Sequence, residues 1–305
     1  MFEQLPATGN HLRELEKRYG GSYSKLIGML NHPYCWTRQD IGFALSRLGK
    51  YTGAPNPASF EGLYRIARYL ATHRNRPVMY PRKSIQGFHS LRVDFDPPKF
   101  EEILLPNGLL LIVDSDHARD MRTRRSCHHL QALVHGVALD WKHEQQRCVA
   151  LHSTDSEIRG VFSCVKRGLT VQDVAIYIGM QNDSLLPTPI YEDSQPCIDV
   201  LEAKTVTTRV KHIAVPIHFI HEHINDGRFV MRKIGTNLNL SDSGTKPNPA
   251  PIHFRQYDHT TGVRFYPPKG SDHYRLLQLE TFLTSPYIRG TTTTTPSPNL
   301  PEPSS

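Results

Sequence analysis

Leu109-Leu110-Leu111-Ile112-Val113-Asp114-Ser115-Asp116 is an unbroken apolar run that ends in carboxylates. A strand exposed on one face alternates apolar with polar residues. A short run without alternation therefore reads as a central strand of an α/β fold, buried on both faces, that delivers Asp114 at its tip. Working outward, Thr188-Pro189-Ile190-Tyr191-Glu192-Asp193 is a second short strand ending on a carboxylate, with Ser194-Gln195 opening a helix. Between the two, Ser153-Thr154-Asp155-Ser156-Glu157 leads into Ile158, Val161, Phe162 and Val165, spaced at the helical period. Ser153 or Thr154 is expected to cap that helix, with Glu157 in its first turn. A fourth acid, Asp242, follows Asn237-Leu238-Asn239-Leu240 among polar neighbours, and its pattern is the least informative of the four.

Acids at strand ends and helix starts have two readings. Helix dipoles and solvent favour them there in any protein. In-line hydrolysis of a phosphodiester also calls for them, because one cation generates hydroxide while a second, about 3.5–4 Å away, stabilises the departing oxygen. Hard cations such as Mg²⁺ take oxygen ligands, which carboxylates supply.

A formal net charge of +7 suits an anionic partner, since neutralising phosphates with Lys and Arg supplies most sequence-independent affinity. The densest basic patch, Arg119, Arg122, Arg124 and Arg125, directly follows the first strand; it either meets phosphates beside the carboxylates or forms a solvated turn. Lys142, His143 and Arg147 are expected in a second polar turn with the same two readings. The five cysteines are scattered without a Cys-x-x-Cys pair, as expected of reduced thiols in an intracellular chain. His221-Glu222-His223-Ile224-Asn225 lacks the second histidine, four positions after the first, that a zinc peptidase helix needs. Val210, Ile213, Ile217, Ile220 and Ile224 instead mark one buried helical face, and Pro216 falls inside that helix, where an interior proline costs about 3 kcal/mol. No apolar stretch approaches the roughly eighteen residues of a membrane span, and the start has no signal-peptide pattern.

Seven collinear blocks resemble the ribonuclease H domain of copia-type retrotransposon polyproteins. They are Val113-Asp114-Ser115-Asp116, Arg124-Arg125-Ser126, Asp140-Trp141-Lys142, the stretch from Val149 to Glu157, Ile190-Tyr191-Glu192-Asp193-Ser194-Gln195, Lys211-His212-Ile213 with His218-Phe219-Ile220, and Thr245-Lys246-Pro247. The resemblance implies a mixed five-stranded sheet with flanking helices, Asp114 on its first strand, hairpin strands within Leu130 to Leu139, and further strands at Ile190 to Asp193 and Phe229 to Ile234. It makes Asp114, Glu157, Asp193 and Asp242 the catalytic, metal-binding carboxylates, with Asp116 in support, and Mg²⁺ or Mn²⁺ the cofactor. It also implies an RNA–DNA hybrid as partner, and from the basic stretches above Arg122, Arg124, Arg125 and Lys142 are the residues expected to contact it.

Upstream, Tyr23 to Leu30, Thr37 to Ala44 and Ile66 to Leu70 resemble the helical stretch that precedes ribonuclease H in the same polyproteins. Ile41, Ala44, Leu45 and Leu48 mark one apolar face there, and Leu63, Ile66, Ala67 and Leu70 another, while Asn56-Pro57 supplies a cap and a first-turn proline. No Tyr-x-Asp-Asp motif occurs, so polymerase activity is not expected, and polymerase and integrase segments of a longer polyprotein are the implied protein partners. The expected organisation is a thumb-like helical segment over 1–94, a linker over 95–104, the ribonuclease H-like domain over 105–250, an appended element over 251–288 and a Thr/Pro-rich disordered tail over 289–305. The expected location is cytoplasmic, within a virus-like particle if the element is active, or nuclear. The chain departs from the family pattern at His117, His128-His129, Ser194, Pro216 and Ser241. A decayed, inert nucleic-acid-binding remnant is the alternative to an active enzyme.

Overall fold

The computed structural model describes residues 9–74, 76, 78, 90–93, 101–104, 109–134, 136–179, 187–203 and 208–261, all within one compact unit. Helices α1 (Gly9–Arg18), α2 (Tyr23–Trp36), α3 (Gly42–Gly49) and α4 (Pro57–Thr72) close around Tyr23, Ile41, Leu45, Leu48, Phe60 and Leu63. The cap of α4 is the one its sequence announces. Ser59 N donates to Asn56 Oδ1 (2.8 Å), Asn56 N donates to Ser59 Oγ (3.0 Å), and Pro57 occupies the first helical position, where its missing N–H costs nothing. The apolar faces hold at Ile41, Leu45, Leu48, Leu63 and Ile66, but Ala44 and Ala67 are exposed, because the buried stripes are narrower than the period alone suggests.

Strands β1 (Ser90–Val93) and β2 (Glu101–Leu104) pair antiparallel, so the last four residues of the expected linker are strand; 95–100 lie outside the described residues. The main sheet contains β3 (Leu109–Ser115), β4 (Cys127–Val134), β5 (Val137–Gln145), β6 (Thr188–Glu192) and β7 (Phe229–Lys233) in the order β5-β4-β3-β6-β7. The neighbours β5, β4 and β3 run antiparallel, whereas β3, β6 and β7 run parallel. Every residue of β3 is buried, which is why it reads as a continuous apolar run. Its Leu109, Leu111 and Val113 enter a core with Ile158, Val161, Ile198, Ile217 and Ile220, contributed by α5 (Ser153–Tyr177), α6 (Gln195–Glu202) and α7 (Ala214–Asn225). Leu110 and Ile112 face a second core of Leu133, Tyr191, Ile234, Leu238 and Leu240. This is the mixed five-stranded sheet with flanking helices expected from the sequence.

Three local readings need correction. The hairpin extends well beyond Leu130–Leu139 and places Lys142 and His143 within β5, not in a turn; β5 is an edge strand, and its half-exposed face imitates a polar loop. Helix α5 is capped by His152, whose Nδ1 accepts from Asp155 N (3.1 Å), so Glu157 opens the second turn and not the first. Pro216 is the third residue of α7, because Thr208–Ile213 forms a separate 3₁₀ turn before it. The first four N–H groups of a helix have no intrahelical partner, so the proline removes no bond. Pro216→Ala is therefore expected to change stability by less than about 1 kcal/mol, not the ~3 kcal/mol of an interior proline; a urea midpoint shift worth several kcal/mol would contradict this placement.

Beyond β7 come α8 (Asp242–Thr245) and α9 (Ala250–Thr260). Helix α9 joins the N-terminal helices: Gln39 Nε2 donates to Thr260 Oγ1 (2.8 Å), and Arg76 pairs with Asp258 (2.7 Å). The N-terminal helices also meet β5, where Trp141 Nε1 donates to Tyr34 O and His143 N to Tyr34 Oη, both at 2.9 Å. The rest of the expected appended element and the expected tail, 262–305, lie outside the described residues. No helix among the described residues is long and apolar enough to cross a membrane.

Candidate metal centre

Parallel neighbours β3 and β6 end side by side, with Ile112 opposite Tyr191, so Asp114 and Asp193 emerge together at their C-terminal ends. Glu157 arrives from the start of α5. Asp242 comes from α8, which a polar clamp on β3 positions. Asn239 Nδ2 donates to Val113 O (3.1 Å), Ser241 Oγ to Ile112 O (3.0 Å), and His129 Nδ1 to Ser241 O (3.1 Å). Ile112 is the last residue of β3 paired with β6 and Val113 the one after it, so the loop side chains tie α8 to β3 where the β3–β6 ladder ends. Ser241, a departure from the family pattern, is part of the clamp. Thr245 Oγ1 donates to Asp114 Oδ2, and Lys246 Nζ lies 2.5 Å from Asp242 Oδ1 and 4.0 Å from Asp114 Oδ1.

The four sequence-nominated acids thus meet, with one that was missed. Carboxylate oxygens of Asp114, Asp193 and Asp242 lie within 4.8 Å of one another, and so do those of Glu157, Glu192 and Asp193. Asp193 belongs to both groups. Glu192 is fully buried; its Oε1 accepts from Asp193 N (3.1 Å) and Ser194 N (3.0 Å), while its Oε2 has no hydrogen-bond partner among the described residues. The signal for it was an acid in an otherwise apolar strand buried along its whole length, which the adjacent Asp193 obscured. Asp116 stands apart from both groups: its Oδ1 accepts from Cys127 N (2.7 Å), holding the end of the β3–β4 pair.

Electrostatics set the charge state of this cluster. Burial, then the nearby Asp242 and Glu157 charges, hold the Asp114 carboxyl well above the usual range. Burial and Asp193 push Glu157 up to about 8, and burial and Glu157 raise Glu192 well above its ordinary value. Lys246 brings an ammonium to the cluster, and its pKa rises in turn beside Asp114 and Asp242 despite its own burial. The free oxygens Glu157 Oε2 and Glu192 Oε2 are buried and unpartnered among the described residues. Hard divalent cations fit this donor set of closely spaced, oxygen-only ligands.

The side of α8 that packs on β4 is tight. A Cβ on Gly244 would overlap the ring of His129, itself buried and held neutral with its pKa pushed down to about 4. Gly244→Ala is expected to cost about 1–3 kcal/mol through overpacking and to displace Asp242; an unchanged thermal midpoint would show that the ring yields freely.

The basic residues nominated for nucleic acid lie at a distance from this chemistry. Arg122, Arg124 and Arg125 are exposed in the turn after β3, where Asp120 holds Lys50 of the N-terminal helical segment (2.8 Å). Lys142 on β5 pairs with Glu144 (2.6 Å).

Strand order, strand direction and the acids at the β3 and β6 ends define a ribonuclease H-like domain. Its homologues are copia-type Pol polyproteins of transposons. The chain is 25% identical over 229 residues to the retrovirus-related Pol polyprotein from transposon TNT 1-94 of Nicotiana tabacum, which covers 74% of this chain and 15% of the relative. Against the retrovirus-related Pol polyprotein from transposon RE2 of Arabidopsis thaliana it is 23% identical over 246 residues, 81% of this chain and 15% of the relative. The chain therefore spans about 15% of the length of these curated relatives. No family model matches it. Among solved structures, LC11-RNase H1 in complex with RNA/DNA hybrid aligns with 10% identity and a TM-score of 0.31, covering 43% of this chain and 88% of that one.

Proposed function

We propose that this chain is a ribonuclease H that hydrolyses the RNA strand of RNA–DNA hybrids, with Mg²⁺ or Mn²⁺ as its metal. The observation that carries this reading is the convergence of Asp114, Glu157, Glu192, Asp193 and Asp242 in two overlapping groups of ligand spacing. Asp114, Asp193 and Asp242 would hold one ion, Glu157, Glu192 and Asp193 the other, with Asp193 shared. Two such ions, when bound, supply an activated water and charge stabilisation at the departing oxygen. The residues themselves do the positioning: Thr245 orients Asp114, the Asn239–Ser241 clamp fixes Asp242, and Lys246 offsets part of the carboxylate charge. Arg122, Arg124 and Arg125 present exposed cations to the hybrid backbone, as does Lys142 in part. This reading implies the other segments of a Pol polyprotein, polymerase and integrase, as protein partners, in the cytoplasm, a virus-like particle or the nucleus.

The test is a hybrid labelled on its RNA strand, incubated with Mg²⁺, with Mn²⁺ and with chelator. Cleavage is expected with either ion, none with chelator, and none of a matching double-stranded DNA. Hybrid binding without cleavage at saturating Mg²⁺ and Mn²⁺ would instead establish the inert, nucleic-acid-binding remnant.

A further inference from the structure

Away from the carboxylates, a groove of about 530 Å³ runs between edge strand β5 and helix α5. Lys142 and Arg147 line it from the β5 side, Arg159, Lys166 and Arg167 from α5, and the nearly buried ring of His128 also lines it. Three of the cations are already paired: Lys142 with Glu144 (2.6 Å), Arg159 with Asp155 (2.6 Å) and Arg167 with Asp140 (2.5 Å). Arg147 and Lys166 have no carboxylate partner among the described residues, which leaves the groove with two positive charges in excess. Neither His128 nitrogen has a hydrogen-bond partner among the described residues; Glu144 Oε2 is 3.8 Å from Nε2. A buried imidazole without a partner is costly, and an acceptor atom brought by a ligand would relieve that cost.

The groove lies on the face of α5 turned away from the carboxylate centre: at about 100° per residue, Arg159 and Lys166 stand about 200° and about 180° round the helix from Glu157. Arg159 and Lys166 follow Glu157 by two and nine residues, about 3 and about 14 Å along the helix axis at 1.5 Å per residue. Gln146, which also lines the groove, donates through Nε2 to Ser156 O (2.8 Å) in the first turn of α5. A concave basic groove on the far side of the helix that carries Glu157 suits a row of phosphates, which Arg recognises by its planar fork and Lys as a point charge.

The geometry points to this groove as a track for the phosphate backbone of one nucleic-acid strand, on the side of α5 opposite the carboxylates. This rests on the ribonuclease reading above. Replacing Arg147→Ala and Lys166→Ala together breaks no ion pair among the described residues and removes only the exposed contact of Lys166 with the Phe162 ring (5.5 Å), so the thermal midpoint should stay nearly level. Affinity for a labelled RNA–DNA hybrid, measured in chelator across a KCl series, should fall about tenfold at low salt. The slope of log K against log[salt] should become shallower by about 1.8, or about 0.9 for each phosphate that is no longer neutralised. Arg147→Lys with Lys166→Arg, which keeps both charges, should restore the slope. An unchanged affinity and slope in the alanine variant, with parent binding intact, would take the strand off this path and leave the ribonuclease reading standing. A parent chain that neither binds nor cleaves hybrid would sink both. Competition by polyglutamate as effective as by unlabelled hybrid would reassign the groove to acidic peptides and overturn the phosphate assignment.

Discussion

Asp114→Asn should reduce Mg²⁺-dependent cleavage of the hybrid by orders of magnitude, each tenfold being about 1.4 kcal/mol of barrier, while raising the melting temperature of the metal-free protein. The two effects share one cause. Asp114 is buried beside Asp242 and Glu157, with Lys246 4.0 Å away and Thr245 as its hydroxyl donor. As a ligand it contributes charge that a divalent cation needs; without metal, the same charge is repelled by its neighbours and stripped of water. Asn preserves the shape and still accepts from Thr245. Each kcal/mol of relief should raise the melting temperature by roughly 2–4 °C for a domain of this size. Scanning calorimetry in chelator and a single-turnover cleavage assay measure the two sides. Near-normal cleavage would remove Asp114 from the reacting site, and a lowered melting temperature would mean that its hydrogen bonds outweigh the repulsion.

The second large effect is the contribution of the carboxylate cluster to stability, which falls as pH rises, against the buried His128, His129 and His143, whose depressed values make their own contribution rise up to about pH 6.5. Glu157 is pushed up to about 8 in the folded chain, against an ordinary value of 4.5. Below about pH 4.5 both folded and unfolded chains hold its proton and nothing is lost. Between about 4.5 and about 8 the unfolded chain has released the proton and the folded chain keeps it, so the contribution of Glu157 falls by up to about 1.4 kcal/mol per pH unit. Above that window the full penalty is present. Asp114 and Glu192 are displaced in the same direction and add to the trend. Metal reverses it, because ligation requires the deprotonated carboxylates and because binding to the folded state alone stabilises by about 2.7 kcal/mol at a hundredfold excess over Kd. The melting-temperature gain on adding Mg²⁺ should therefore be larger at pH 8 than at pH 5.5. A gain that is flat with pH would separate the metal from these carboxylates.

What the sequence disclosed and what it hid follow from how each residue is held. Asp114 and Asp193 end strands buried along their length, and burial on both faces leaves an unbroken apolar run that is visible without a structure. Asn56-Pro57 was equally legible, since capping is local chemistry between residues three apart. Asp242 is the opposite case: Asn239 and Ser241 place it through bonds to backbone carbonyls of a strand far away in the chain, and no periodicity records such a bond. Glu192 was hidden because a strand-end pair of acids offers two candidates for one expected role. Pro216 misled because the isoleucine stripe continues across the junction between a 3₁₀ turn and α7, so the apolar pattern gave no sign that the helix starts at Ala214.

The clamp on β3 also sets an order of events. Its bonds link Val113 to Asn239 and Ile112 to Ser241, 126 and 129 positions apart, contacts of the kind that form late because long loops must close first. During synthesis, the strand bearing Asp114 emerges long before the segment that brings Asp242, so the growing chain carries an incomplete set of ligands until that segment docks. Metal affinity should then appear in one step near the end of folding, together with protection of the Asn239 and Ser241 region from hydrogen exchange. In stopped-flow refolding, Mn²⁺ binding that preceded that protection would show that the four carboxylates other than Asp242 suffice to capture the ion.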